Sequence, residues 1–152
     1  MKDRHEINGQ TAAAQAIIAQ SDAMHSELYD AALALRDECH ELIRTGDAKR
    51  YRKPPCTLSV RTRAGEFGPR LLWIRFDSKK NNVPGRGEIR FTREIGGRRG
   101  GRYPKTIFRG FSEELSAELI RIEARAAAIR DRVSFWSTVL AISRKIVLEA
   151  ED

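Results

Sequence analysis

The sequence predicts an α+β fold in which two long antiparallel helices brace a small three-stranded antiparallel sheet, in the order α-β-β-β-α. Three observations predict it: an alanine-rich helical run at 11–45, alternating side chains within 56–95, and a periodic apolar stripe at 112–149. With 152 residues, the chain has the usual length of one domain that buries its own core. We therefore expect a single domain over residues 1–152.

The first helix is predicted by composition and by spacing. Residues 11–45 contain no glycine or proline, Gly46 stands where the helix would end, and Thr11 is the candidate N-cap. Apolar or small side chains recur in steps of four and three at Ile17, Ser21, Met24, Leu28, Ala31, Leu35, Cys39 and Leu42. This spacing is typical of a helix that packs along one seam.

The middle of the chain predicts a linker and a three-stranded meander. Residues 46–55 are basic and end in two prolines, which keep the chain extended. Strand candidates follow at 56–63, 70–78 and 87–95, and turn-forming residues separate them. Their alternation predicts a sheet with one apolar face and one basic face.

The last helix has the strongest periodic signal. Ser112 is the candidate N-cap, and Glu113 and Glu114 follow in the first turn, where the helix dipole favours carboxylates. The main stripe is Leu115, Leu119, Ile122, Ala126, Ile129, Val133, Trp136, Leu140, Ser143 and Val147. A second stripe joins it in the last third, at Phe135, Val139, Ile142 and Ile146. We expect the first helix to cover one stripe, and the sheet or a second subunit to cover the other.

The basic residues are concentrated in the middle of the chain. The net charge is +7, but residues 51–110 hold 16 Lys and Arg against 4 Asp and Glu. Residues 1–50 hold 6 against 9, and residues 111–152 hold 6 against 8. A surface that binds a polyanion needs such a local density of cations. Nucleic acid is the leading partner, and we expect no cofactor.

The segment at 96–110, which reads GGRRGGRYPKTIFRG, is the main candidate for a DNA contact. Arginine forks suit phosphate groups, and glycines let the backbone approach a duplex closely. We expect a mobile loop that becomes ordered on DNA; a merely solvated hairpin tip is the alternative. The candidate DNA-binding residues are Arg61, Arg63, Arg75, Arg90, Arg93, Arg98, Arg99, Arg102, Tyr103, Lys105 and Arg109. We expect Arg61 and Arg63 to lie beside Arg75 across the strands.

Two aromatic residues have alternative interpretations. Trp73 falls on the same strand face as Arg75, where its ring either stacks on a base or packs beneath a helix. Tyr103 resembles the nucleophile of a DNA-nicking enzyme, but such an enzyme also needs a histidine cluster or another catalytic constellation. The histidines are scattered at positions 5, 25 and 40. We therefore interpret Tyr103 and Pro104 as a hydrophobic anchor for the loop.

Signals for metal or thiol chemistry are weak. Asp77, Glu88 and Arg90 have some similarity to a metal-dependent nuclease core, but arginine replaces the usual lysine. Asp37, His40 and Glu41 share one helical face and are a candidate for a partial metal site, although a solvated charged face is far commoner. Cys39 and Cys56 are expected to be free thiols in a reducing compartment. The chain lacks an apolar run of membrane-spanning length, and we expect a cytoplasmic protein.

The order of the elements and the turn formed by Arg102, Tyr103, Pro104, Lys105 and Phe108 carry a family resemblance. From about residue 28 onward the chain resembles the MobI-type mobilisation proteins of integrative conjugative elements and related plasmids. The resemblance implies a non-enzymatic auxiliary factor that acts at the origin of transfer alongside a relaxase. The Gly-Gly-Arg-Arg-Gly-Gly run is richer than the family pattern leads us to expect.

These observations favour a non-catalytic accessory protein that binds double-stranded DNA. An RNA- or ribosome-associated binding module is the first alternative, and a metal-dependent nuclease is the second. The long seam of the last helix also predicts a homodimer, which would read an inverted repeat. A relaxase is the expected protein partner, and no membrane association is expected.

Overall fold

The computed structural model describes residues 4–46, 54–76, 81–85, 87–89 and 92–152. The elements are helix α1 (Arg4–Gly46), strands β1 (Thr57–Arg61), β2 (Arg70–Phe76), β3 (Asn81–Val83), β4 (Gly87–Ile89) and β5 (Thr92–Glu94), a 3-10 helix (Lys105–Phe108) and helix α2 (Glu113–Glu151). This arrangement confirms the α+β class and the predicted order of two helices around a three-stranded antiparallel sheet. No helix in the described part of the chain has the length and hydropathy of a membrane span.

The three-stranded sheet has the order β1-β2-β5, as a meander requires. Thr57 of β1 lies opposite Ile74 of β2, and Ile74 lies opposite Glu94 of β5. The predicted third strand, 87–95, forms two strands. Its first part, β4, pairs with β3 in the segment predicted to be a turn, and only β5 joins β2.

Of the two predicted helix N-caps, the structure confirms one and contradicts the other. Ser112 is confirmed as the N-cap of α2, since its Oγ accepts a hydrogen bond of 3.3 Å from the Leu115 backbone N–H. Thr11 is not an N-cap, because α1 already begins at Arg4. The Thr11 hydroxyl instead donates to the carbonyl oxygen of Ile7, 3.1 Å away, as hydroxyls inside helices often do.

The core lies between the two helices and the three-stranded sheet. Ion pairs cross between the antiparallel helices at Glu38–Arg125 (2.7 Å) and Glu27–Arg132 (3.4 Å). The fully buried large side chains are Leu28, Leu58, Leu71, Trp73, Phe108, Leu119 and Ile122. The edge of the Trp73 ring packs against Phe108, with centroids 4.8 Å apart. The packing interpretation of Trp73 is therefore correct.

The prediction of one apolar and one basic sheet face is wrong. All four residues of β2 from 71 to 74 are buried, so both faces of the strand are covered at its centre. Arg61 lies opposite Arg70, and Arg75 lies opposite Arg93. Because Arg70 and Arg75 are an odd number of positions apart, Arg61 and Arg75 lie on opposite faces and are not cross-strand neighbours.

The turn between β1 and β2 packs against both helices. The Gly68 N–H donates to Nδ1 of His25 in α1 at 2.9 Å, and the Phe67 ring meets the His25 ring edge-on. On the other side, a Cβ added at Gly68 would lie 2.8 Å from the side chain of Val133 in α2. The turn thus fixes the sheet to the middle of the helix pair.

This close contact makes Gly68 difficult to replace. Its φ is +80°, and Gly65 in the same turn has a φ of +81° but no atom within 4 Å of an added Cβ. We expect Gly65→Ala to lower the free energy of unfolding by about 1 kcal/mol, the cost of the left-handed backbone. Gly68→Ala should cost about 3 kcal/mol, because it also overpacks against the stiff Val133 side chain.

Urea denaturation of the two variants measures the difference. Equal losses of stability would contradict the packing of this turn against α2.

Candidate nucleic-acid interface

The glycine- and arginine-rich segment forms a tight turn. Arg99 and Arg102 exchange backbone hydrogen bonds of 2.9 and 3.0 Å around Gly100 and Gly101. The two glycines have φ values of +56° and +75°, a conformation that side chains disfavour and that matches the twist of hairpin strands. The paired glycines therefore shape a tight turn. The mobility of the free loop stays a prediction.

Arg130 of α2 binds this turn and the sheet. Its Nη1 donates to the Gly101 carbonyl oxygen at 2.8 Å, and its Nε donates to the Leu71 carbonyl oxygen at 2.9 Å. The side chain is buried, and its Nη2 makes no hydrogen bond within the described structure. One guanidinium thus joins α2, β2 and the turn.

Glu123, two helical turns before Arg130, balances the buried charge. Nη1 of Arg130 lies 2.8 Å from Oε1 and 3.0 Å from Oε2 of Glu123, and both side chains are only 8% exposed. The same carboxylate accepts hydrogen bonds from Nε1 of Trp73 (3.1 Å) and from the backbone N–H of Tyr103 (3.3 Å). These bonds satisfy the carboxylate where water is excluded. We refer to these two residues as the Glu123–Arg130 pair.

Tyr103 lies between the turn and the core. Its hydroxyl donates to Oε1 of Glu94 at 2.7 Å, and the centroid of its ring is 5.0 Å from Cζ of Arg130 and 5.8 Å from Cζ of Arg98. Burial and the Glu94 bond raise the pKa of Tyr103 to about 12. The phenol is neutral and held in place, which agrees with the anchor that the sequence predicts beside Pro104.

Five cations of this segment, Arg98, Arg99, Arg102, Lys105 and Arg109, are exposed, and we call them the loop cations. Arg102 lies 3.8 Å from the Asp131 carboxylate, a long contact between exposed groups. Among the side chains that the structure describes, no carboxylate pairs with the other four. Arg99 and Arg102 face each other across the turn, so their like charges repel unless an anion lies between them.

Two more of the predicted cations lie near the loop cations. Arg75 and Arg93 are exposed cross-strand neighbours at one end of the sheet. The 3-10 helix packs at the same end, because the Cys56 thiol contacts the Ile107 carbonyl oxygen at 3.8 Å. This contact places Lys105 and Arg109 close to the Arg75 end of β2.

The other two predicted cations that the structure describes lie at the end of β1 and just after it. The Arg61 guanidinium donates to the Thr92 hydroxyl at 3.0 Å, so its side chain reaches the far edge strand. Arg63 pairs with Glu66 (3.3 Å) in the β1–β2 turn, which packs against the helices. Arg61 and Arg63 are therefore not the expected cross-strand neighbours of Arg75, although the Arg61 guanidinium lies beside Thr92, the residue before Arg93. Arg90 lies outside the described residues.

The candidate metal sites gain no support. His40 donates from Nε2 to the Leu58 carbonyl oxygen at 3.2 Å, while Asp37 and Glu41 bind Arg36 and Arg44. The described residues contain no group of three potential metal ligands. Asp77 and Arg90 are outside the described part, as is the Glu88 side chain.

Neither cysteine has the exposed, easily deprotonated thiol that nucleophilic or metal-binding chemistry requires. Cys39 and Cys56 are buried and free, and burial raises the pKa of each to about 12.

Sequence analysis missed Glu123 and Arg130, although a signal was present. They lie seven residues apart, beside the main stripe of α2, in the alanine-rich stretch IEARAAAIR. Two opposite charges at this spacing share a helical face, and the alanines on that face offer little cover. Such a pair beside a core stripe is a candidate for a buried ion pair.

The fold and the distribution of charge define a small, basic α+β protein whose exposed cations follow a short edge strand. A family model described as MobI protein matches residues 28–144. The chain therefore belongs to the MobI family, which confirms the resemblance and relates the protein to conjugative mobilisation. No curated protein and no solved structure matches the chain.

Breaking the Glu123–Arg130 pair should be far more harmful than breaking an exposed pair. Arg130→Met leaves the Glu123 carboxylate buried without its cation, and we expect a loss of about 3–5 kcal/mol in the free energy of unfolding. Arg125→Met on the same helix removes an exposed pair with Glu38 and should cost less than about 1 kcal/mol. Chemical denaturation of both variants tests this difference; similar losses would contradict the assigned role of the buried pair.

Proposed function

We propose that this protein is a non-catalytic DNA-binding accessory factor that acts at an origin of transfer in conjugative mobilisation, alongside a relaxase. Membership of the MobI family supports the biological setting. The observation that carries the molecular part is the exposed Arg99–Arg102 pair, which a turn bound to the buried Arg130 holds in place.

A phosphate group is the natural partner of this arginine pair. Two guanidinium groups on facing positions of a tight turn repel each other, and a bound phosphate would relieve that repulsion. The backbone of the turn is already fixed, so binding costs less ordering entropy than it would for a flexible loop. The two glycines at its tip leave room for a duplex backbone to approach.

The other exposed cations extend the contact. Arg98, Lys105 and Arg109 follow the turn or flank it, and Arg93 belongs to the edge strand before it. Together with the arginine pair they supply about six phosphate contacts, and each neutralised phosphate releases a counterion on binding. The binding should therefore depend strongly on salt.

The environment of the reactive side chains supports a non-catalytic role. The Tyr103 hydroxyl is engaged by Glu94 and has a pKa of about 12, whereas a nucleophilic phenol needs a base and access to the substrate.

A homodimer would present two basic surfaces, as an inverted repeat requires. The proposed place of action is the cytoplasm, where the transferred DNA is processed.

Affinity for a labelled duplex, measured by fluorescence anisotropy at several salt concentrations, tests the proposal. We expect log affinity to fall against log salt with a slope near −5, from about six phosphate contacts. Replacing both members of the pair (Arg99→Ala with Arg102→Ala) should make the slope shallower by about two. The control Arg121→Ala removes an exposed arginine that pairs with Glu118 on α2, and should leave the slope unchanged.

The alternatives are separable in the same assay. A flat salt response would contradict DNA binding, and stronger competition by structured RNA than by duplex would favour the RNA-binding module. Magnesium-dependent nicking by the parent protein, abolished by Asp77→Ala or Glu88→Ala, would favour the nuclease.

A further inference from the structure

The C-terminal third of α2 is apolar on a side that the described residues of the chain leave open. Residues 133–143 contain no charged side chain, a composition typical of a helix covered on more than one side. Leu140 and Ser143 are buried, at 2% and 3% exposed. Phe135 and Ile142 are 58% and 54% exposed, so the expected cover by the sheet is wrong.

These two exposed residues and two half-buried ones form a stripe that is symmetric about its own centre. Phe135, Val139, Ile142 and Ile146, which we call the open stripe, follow one another in steps of four, three and four. Arg132 precedes the stripe by three residues, and Glu149 follows it by three. Reversing the direction of the helix therefore superimposes apolar positions on apolar positions and the arginine on the glutamate.

We propose that two copies of this protein dimerise by packing their open stripes antiparallel, with a two-fold axis between Val139 and Ile142. Phe135 then packs on the partner's Ile146, and Val139 packs on the partner's Ile142. The steps of three and four match the layers of an antiparallel helix pair. With α1 of each copy alongside, the dimer is a four-helix bundle.

Charge complementarity selects a second copy in this orientation. Antiparallel packing places Arg132 opposite the partner's Glu149 at both ends of the stripe. A parallel arrangement would instead oppose Arg132 to the partner's Arg132 and Glu149 to the partner's Glu149. Among the residues that the structure describes, Arg132 contacts Glu27 at 3.4 Å and Glu149 contacts Lys145 at 3.9 Å, both long contacts between exposed groups. Such contacts are weak and open to exchange.

The stripe is long enough to support a specific contact. Together with its flanking charges, Arg132 and Glu149, the open stripe spans about 26 Å, at roughly 1.5 Å per residue. The inference deepens the homodimer part of the proposed function but does not rest on DNA binding, because self-association is measured without nucleic acid. If the dimer proposal fails, the proposal of DNA binding still stands, and the reverse also holds.

Sedimentation equilibrium of the full chain tests the dimer. Ile142→Glu places a carboxylate near the two-fold axis, twice per dimer, and should raise the dimer dissociation constant about 100-fold or more. Leu148→Glu is the matched control, because Leu148 is 65% exposed on the same helix but lies away from the open stripe. That variant should dimerise like the parent.

Charge exchange tests the orientation. Arg132→Glu or Glu149→Arg alone brings like charges together at both ends and should weaken the dimer roughly tenfold. The double variant should recover the parent's affinity, although it does not restore the contact with Glu27. A parent that stays monomeric up to about 100 µM, or a dimer that tolerates Ile142→Glu, would overturn the proposal. Further weakening in the double variant would overturn the antiparallel orientation.

Discussion

The arrangement of this protein depends on one buried ion pair. Glu123 and Arg130 are excluded from water, so neither charge is tolerable without the other and without nearly all of its hydrogen bonds. Those bonds reach Trp73 and Leu71 of β2, the backbone of Tyr103 and the carbonyl oxygen of Gly101. Helix, sheet and turn are therefore held in one relative position by the need to satisfy two charges.

The buried pair also explains how a strongly basic segment packs against the core. Arg130 is neutralised within the protein, whereas the loop cations remain at the surface with their charges largely available. Tyr103 separates the two sets, since its ring contacts both Arg130 and Arg98 while its hydroxyl binds Glu94. One buried arginine thus holds the turn, while the arginines of the turn itself stay exposed.

Sequence analysis predicted the elements whose residues repeat over a long distance. The stripes of α1 and α2 extend over many helical turns, and the Ser112 cap marks one helix start. The third strand was predicted less well, because 87–95 alternates throughout and only tertiary pairing divides it between β3 and β2. Alternating side chains indicate a strand, but they do not indicate which strand it pairs with.

Sequence analysis predicted which residues make up the candidate site, but it did not predict how they are arranged in space. Consecutive glycines occur both in flexible loops and in tight turns with positive φ, and only the bonds to Arg130 distinguish the two at Gly100 and Gly101. Glu123 was missed because a charged residue in an alanine-rich helix usually faces water. Burial of opposite charges is a property of the packed fold.

Amide hydrogen exchange at Arg99, Arg102 and Tyr103 tests most directly whether the buried pair holds the turn. NMR would compare the parent with Arg130→Met, at a temperature where both are folded. The account predicts that exchange at these three amides accelerates more than about tenfold in the variant, while the amides in the middle of α2 change much less. Unchanged exchange in the turn, or an equal acceleration throughout the protein, would contradict it.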